Sequence, residues 1–220
     1  MSKVWELVKL GKFNEAILAA DTEIARSESV LPLRNKIIAL LNLERYQDAV
    51  ILCDRIIERE SGESETDFIN LGVSYWLQKI PNDAIAAWSR GKKAKYTDAA
   101  GGVKIPLLLF YAAIRMGDKK LQMESIKQLK SILGEASAVN WPGPIAEFML
   151  DTTSAAIFLS KISQQPILRE RQICQADFYI AVKHLEQGNN DGLKKFMQMA
   201  CSHESVSLVQ RQLKCPPDDN

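Results

Sequence analysis

The amino-acid sequence predicts an all-α fold assembled from helical hairpins, and three observations carry that reading. Apolar residues recur at spacings of three and four along most of the 220-residue chain, the period of one face of a helix. No β-branched alternation persists beyond a few residues, so strands are not expected. An aromatic and a small residue also repeat as a pair. Phe13 and Ala16 return as Tyr46 and Ala49, 33 residues on, and Ala84 follows Ala49 by 35. A hairpin of about 34 residues cannot bury its apolar face alone and must stack on copies of itself.

Taken in order, the elements follow from these patterns. Ser2 to Leu10 is a first helix with Val4, Trp5, Leu7, Val8 and Leu10 apolar, broken by Gly11. Asn14 to Ser27 is its partner. The next pair runs Leu31 to Leu43 and Gln47 to Glu60. Thr66 to Tyr96 then holds two amphipathic runs around Ile80-Pro81-Asn82-Asp83. Gly72 allows close helix packing, Ala84 is the small residue facing it, and Tyr75 and Trp88 fill the remaining space. Thr97 to Gly102 is a turn with N-cap character at Asp98. Ile105 to Met116 and Leu121 to Leu133 form a fourth pair, punctuated by Gly117-Asp118. Asn140 to Pro144 is a rigid connector, followed by short apolar runs at Ile145–Met149 and Ala155–Leu159. The last hairpin is Ala176 to Gln187 and Asp191 to Cys201, turned at Gly188. Ser205 to Leu213 is expected as a capping helix, and residues 216–220 as a disordered tail.

On Leu71, Gly72, Tyr75, Ala84 and Trp88, with their spacing near 34, the chain resembles the tetratricopeptide repeat (TPR) family, in particular bacterial TPR-type proteins. The resemblance spans Lys3 to about Cys201 and is densest over Leu31–Lys92. It implies a right-handed α-solenoid of about five helix-turn-helix hairpins in a single domain, residues 1–215. TPR motifs are packing motifs, so the resemblance speaks to fold and not to chemistry.

Composition narrows the function classes. Hydrophobic residues make up 46% of the chain and charged residues 25%, which is ordinary for a globular protein. With 28 basic and 27 acidic residues the net charge is +1, so no global attraction to nucleic acid or anionic lipid is expected. There is no apolar leader segment and no long uncharged apolar run, so neither a signal peptide nor a membrane span is expected. Cys53, Cys174, Cys201 and Cys215 form no C-x-x-C pair and read as reduced thiols of a cytoplasmic protein.

No catalytic constellation emerges. His184 and His203 are the only histidines, and neither stands in an H-E-x-x-H or Cys/His cluster, so no metal or cofactor is expected. Gly101-Gly102 lacks the spacing of a phosphate loop and reads as a linker. Lys92, Lys93 and Lys95 sit at a helix C-terminus, where cations complement the dipole.

In TPR arrays the first helix of each hairpin lines a concave groove. That register places Arg34, Asn35 and Ile38, then Asn70, Val73 and Trp76, then Lys104, Tyr111 and Arg115, and finally Phe178 on the groove side. Some members of the family grip a terminal carboxylate, and Arg34, Asn70 and Lys104 fall on such positions. Ile38 and Leu108 depart from the pattern, so a preference for an acidic or C-terminal segment is expected rather than that clamp. The sequence reads as a non-enzymatic adaptor or scaffold binding a protein or peptide in this groove. A toxin-neutralising immunity protein, a nucleic-acid-binding helical repeat and an enzyme on a helical scaffold are the other readings. A single tightly co-purifying neighbour, steep salt dependence and convergent acids or histidines would mark them in turn. Reversing Arg34 and Arg115 to glutamate is expected to weaken binding without lowering the melting temperature.

Overall fold

The computed structural model describes residues 2–26, 28–202 and 213. Twelve α-helices and one 3-10 turn are present among them, with no β-strand. The all-α expectation holds. The chain divides into two compact units, built on Met1–Lys95 and on Tyr96–His203.

The first unit contains α1 (Lys3–Lys9), α2 (Phe13–Ile24), α3 (Leu31–Asn42), α4 (Tyr46–Arg59), α5 (Glu65–Leu77) and α6 (Pro81–Gly91). Each helix packs on the next, and α3 also packs on both α1 and α5. The odd helices therefore lie side by side in one row. Ser2 caps α1 by accepting from the Val4 N–H at 3.2 Å. The same hydroxyl donates to Glu23 at the far end of α2, 3.0 Å away, so one side chain ties the first hairpin at its open end.

The three hairpins of this unit close with one turn. A left-handed residue stands at Gly11, Glu44 and Lys79. The N–H that follows each donates five residues back, Lys12 to Leu7, Arg45 to Leu40 and Ile80 to Tyr75, at 2.9 to 3.0 Å. Orphan helix carbonyls are thereby satisfied. Gly117 and Gly188 make the same turn in the second unit. Glycine holds φ near +70° at three of the five positions without steric cost.

The Gly72–Trp88 pairing expected from the sequence is present. Trp88 is fully buried and its indole N–H donates to the Ile69 carbonyl at 3.2 Å. A Cβ at Gly72 would overlap the indole, with Cδ1 only 2.5 Å away. Ala84, also fully buried, lies one turn before Trp88 on α6.

The second unit contains α7 (Lys104–Met116), α8 (Lys119–Leu133), a 3-10 turn (Ala136–Val139), α9 (Gly143–Met149), α10 (Ala155–Ser160), α11 (Pro166–Glu186) and α12 (Asn190–Ser202). Asp98 organises its entrance. Oδ1 accepts from the N–H groups of Ala100 and Gly102, and Oδ2 from that of Lys104 at 2.8 Å. Helix α7 is buried on all sides from Ile105 to Ala113, as a helix apolar all round must be. It packs against α8 and also directly against α11.

Helix α11 is longer than the sequence suggested. It begins at Pro166, ten residues before Ala176, because Ile167–Arg171 are exposed and carry no apolar stripe. Short helices α9 and α10 dock through aromatics. Fully buried Phe158 lies between Trp141 and Phe148, stacked at 5.9 and 4.9 Å. Trp141 Nε1–H donates to Gln175 on α11 at 2.6 Å. Apart from Leu213, the expected capping helix lies outside the described residues, as do the 216–220 tail, His203 and Cys215.

Candidate partner-binding face

The row of α1, α3 and α5 is the natural place to test the expected groove. On α3, Leu33, Ile37, Leu40 and Leu41 face the interior, while Arg34 and Ile38 are half-buried. Arg34 is committed to α5. Its Nε and Nη2 donate to the two carboxylate oxygens of Asp67 at 2.8 and 2.7 Å. Asp67 is 1% exposed, so this bidentate pair is largely withdrawn from water. The hydrogen bonds it donates to Asp67 hold the guanidinium pKa above its ordinary value, and burial works against them.

Asn35 and Asn70 stand beside this pair on neighbouring helices, 35 residues apart. They are 6% and 8% exposed. Neither side-chain amide makes a hydrogen bond to another described residue; the Asn70 backbone carbonyl accepts from the Ser74 hydroxyl at 2.8 Å. Trp76 is half-buried at 5.9 Å from Trp88. Val73 is fully buried and is a packing residue.

The second unit holds the other expected groove residues. Lys104 is half-buried and Arg115 exposed. Tyr111 and Phe178 are 1% and 0% exposed and pack on each other across α7 and α11 with ring centres 5.3 Å apart. They are interior residues, because α11 covers the face of α7 on which Tyr111 projects. Accessible expected residues are therefore Arg34, Ile38 and Trp76 in the first unit, with Lys104 and Arg115 in the second.

A polar network around Lys183 had no sequence signal beyond the lysine itself. Its ammonium lies 2.7 Å from Asp151 Oδ2 and 3.1 Å from Glu186 Oε2, and donates to the Met149 carbonyl at 3.2 Å. Glu186 Oε1 in turn accepts from Gln122 on α8 at 2.9 Å. The network joins α8, the C-terminus of α9 and α11. Burial lowers the Lys183 pKa, but hydrogen bonds to Asp151 and Glu186 outweigh it and the net shift is upward. A base with a raised folded pKa stabilises fully below its unfolded value, about 10.4, and loses that contribution as pH climbs through the folded value. The melting-temperature gap between wild type and Lys183→Met should thus stay constant from neutral pH into the mildly alkaline range and narrow only as pH climbs past the unfolded value and through the raised folded one. A gap independent of pH throughout would exclude this charge as its source.

The Cys53 thiol is not activated. Burial, then the charges of Asp67 and Asp54, push the Cys53 thiol well up, against a hydrogen bond to Ser74. Cys174 is buried and donates to the Ala200 carbonyl at 3.3 Å. His184 stacks on Phe196 at 5.4 Å and packs over Gly192. Among the described residues no group of three or more His, Cys, Asp and Glu side chains could hold a metal ion. No helix there is long and apolar enough to cross a membrane. No family model matches the chain, and no curated protein matches it.

Proposed function

We propose that the chain is a TPR-like helical-repeat module, a right-handed solenoid of about five hairpins, that binds a protein or peptide partner along the row of α1, α3 and α5. It would act as a cytosolic adaptor or scaffold rather than as an enzyme. The observation that carries this reading is the pair Asn35 and Asn70. Two asparagines, 6% and 8% exposed, lie on adjacent helices, and neither side-chain amide has a hydrogen bond to another described residue. Neither amide is among the fully buried polar atoms that lack a partner, so both keep access to water or to an incoming group. An amide side chain matches a peptide group, donating to its carbonyl and accepting from its N–H. A bound segment would satisfy both amides at once. Ile38 and Trp76 would supply apolar contact, and the Arg34–Asp67 pair would fix the spacing between the two helices.

The test uses peptides selected from a phage-displayed random library against the wild-type chain. The variant Asn35→Leu/Asn70→Leu should melt close to the wild-type temperature, since each amide lacks a hydrogen bond to another described residue and gives way to an apolar group of similar size. Its affinity for the selected peptides should fall by about tenfold or more. Peptides bound equally by both chains would remove this face from the account. A large drop in melting temperature would instead make the amides structural.

A further inference from the structure

Helix α8 carries an imbalance that its packing does not explain. Its inner side is conventional, with Ser125 and Leu129 buried. The opposite stripe presents Lys120, Met123, Glu124, Lys127 and Lys130, all exposed and at helical spacing. Between Arg115 and Lys130 the chain carries five cations and two acids. One of those acids, Asp118, is consumed as the N-cap, accepting from the Leu121 N–H at 3.0 Å. No acidic side chain lies within ion-pair distance of Arg115, Lys120, Lys127 or Lys130 among the described residues.

Two features distinguish this stripe from an ordinary solvated face. Exposed α4 positions balance in sign through Asp54, Arg55, Glu58 and Arg59, whereas the α8 stripe sets the single acid Glu124 among Lys120, Lys127 and Lys130. Lys119 and Lys120 also occupy the first turn of α8, which has no acidic residue. That is the end of a helix that favours anions, so cations there oppose the dipole. Lys127 and Lys130 repel each other one turn apart. The first-turn lysines are thus held against the dipole, whereas Lys130 lies in the last turn, where a cation is favoured. In the centre, Met123 is 65% exposed, a flexible apolar side chain of the kind used at adaptable binding surfaces.

We propose that the outward face of α8 docks an acidic segment of a partner protein. Lys120 to Lys130 spans about 15 Å of helix at 1.5 Å per residue. Carboxylates on alternate residues of an extended segment recur about every 7 Å, so the stripe meets two or three of them. Met123 takes an apolar side chain between them. The lysines steer the encounter, and the opposing first-turn charges become favourable once neutralised. No aromatic side chain lies on α8 for a base to stack on, which disfavours single-stranded nucleic acid as the occupant. This surface lies on an even helix of the second unit and stands or falls independently of Asn35 and Asn70.

The probe is a fluorescein-labelled peptide of alternating Glu and Leu, followed by anisotropy at low and at physiological ionic strength. The wild-type chain should bind it, more weakly at the higher salt. Lys120→Glu/Lys127→Glu/Lys130→Glu should lose about tenfold or more with no fall in melting temperature. The matching Lys→Gln triple variant should lose about threefold and decides the matter if the glutamate variant melts low. Equal affinity of wild type and variants overturns the proposal. So does tighter binding of single-stranded RNA or of phosphatidylserine vesicles than of the peptide.

Discussion

Gly72→Ala should come close to unfolding the first unit, although alanine is the better helix former. Taken alone, replacing a mid-helix glycine gains about 1 kcal/mol of helix propensity. Here the new methyl would stand within the indole of Trp88, a contact no real Cβ makes. The indole is fully buried and cannot yield without leaving its site. Its departure forfeits the bond to the Ile69 carbonyl and uncovers a large aromatic, together about 3–5 kcal/mol. Against a total stability of about 5–15 kcal/mol, the loss outweighs the propensity gain severalfold. Urea unfolding followed by circular dichroism should show the midpoint collapse. Adding Trp88→Leu to Gly72→Ala should recover part of it, a coupling expected only of residues in contact. A Gly72→Ala chain with the wild-type midpoint would mean that the indole does not rest on that glycine.

Arg34→Glu should be nearly as damaging, which revises the expectation that both groove arginines can be reversed without thermal cost. Asp67 is 1% exposed and receives both parallel hydrogen bonds of the guanidinium. Breaking a buried pair from one side costs about 3–5 kcal/mol, and a glutamate adds a second carboxylate to the first. Arg115 is exposed at the end of α7, and Arg115→Glu should leave the melting temperature within the small range of surface changes, about 0.5 kcal/mol in stability. The double variant Arg34→Met/Asp67→Leu should restore most of the loss, because removing both charges also removes their desolvation cost. Single and double variants that melt alike would show the pair to be uncoupled.

These two residues also mark what can be read from the sequence. Gly72, Ala84 and Trp88 were legible because close packing of two helices needs a small residue and a large one at fixed spacing. The pattern is local. Arg34 was placed correctly on α3 but its partner was not, although Asp67 follows it by 33 residues. The interval that set Arg34 in the groove register also set an acid beside it, and charge complementarity at that period was the available signal. The repeat register puts Tyr111 and Phe178 on the groove side because a register assigns faces, not neighbours. Their burial depends on α11 meeting α7, a pairing no local pattern announces. The early start of α11 is hidden because its first turns are exposed and carry no repeating apolar stripe. Pro166 at the first helical position was the remaining clue.

That pairing of α7 with α11 has a thermodynamic corollary. Arg34 and Asp67 join consecutive odd helices across 33 residues. Tyr111 and Phe178 join α7 and α11 across 67. Doubling a closed loop costs only about 0.6 kcal/mol of chain entropy, less than burying one methylene returns at about 0.8 kcal/mol. The excursion through α9 and α10 therefore taxes the fold very little, and Phe158 alone, sealed between two rings, more than offsets it. The length of this stretch is therefore set by what α9 and α10 bury and bond against α11, and not by the chain entropy of closing it.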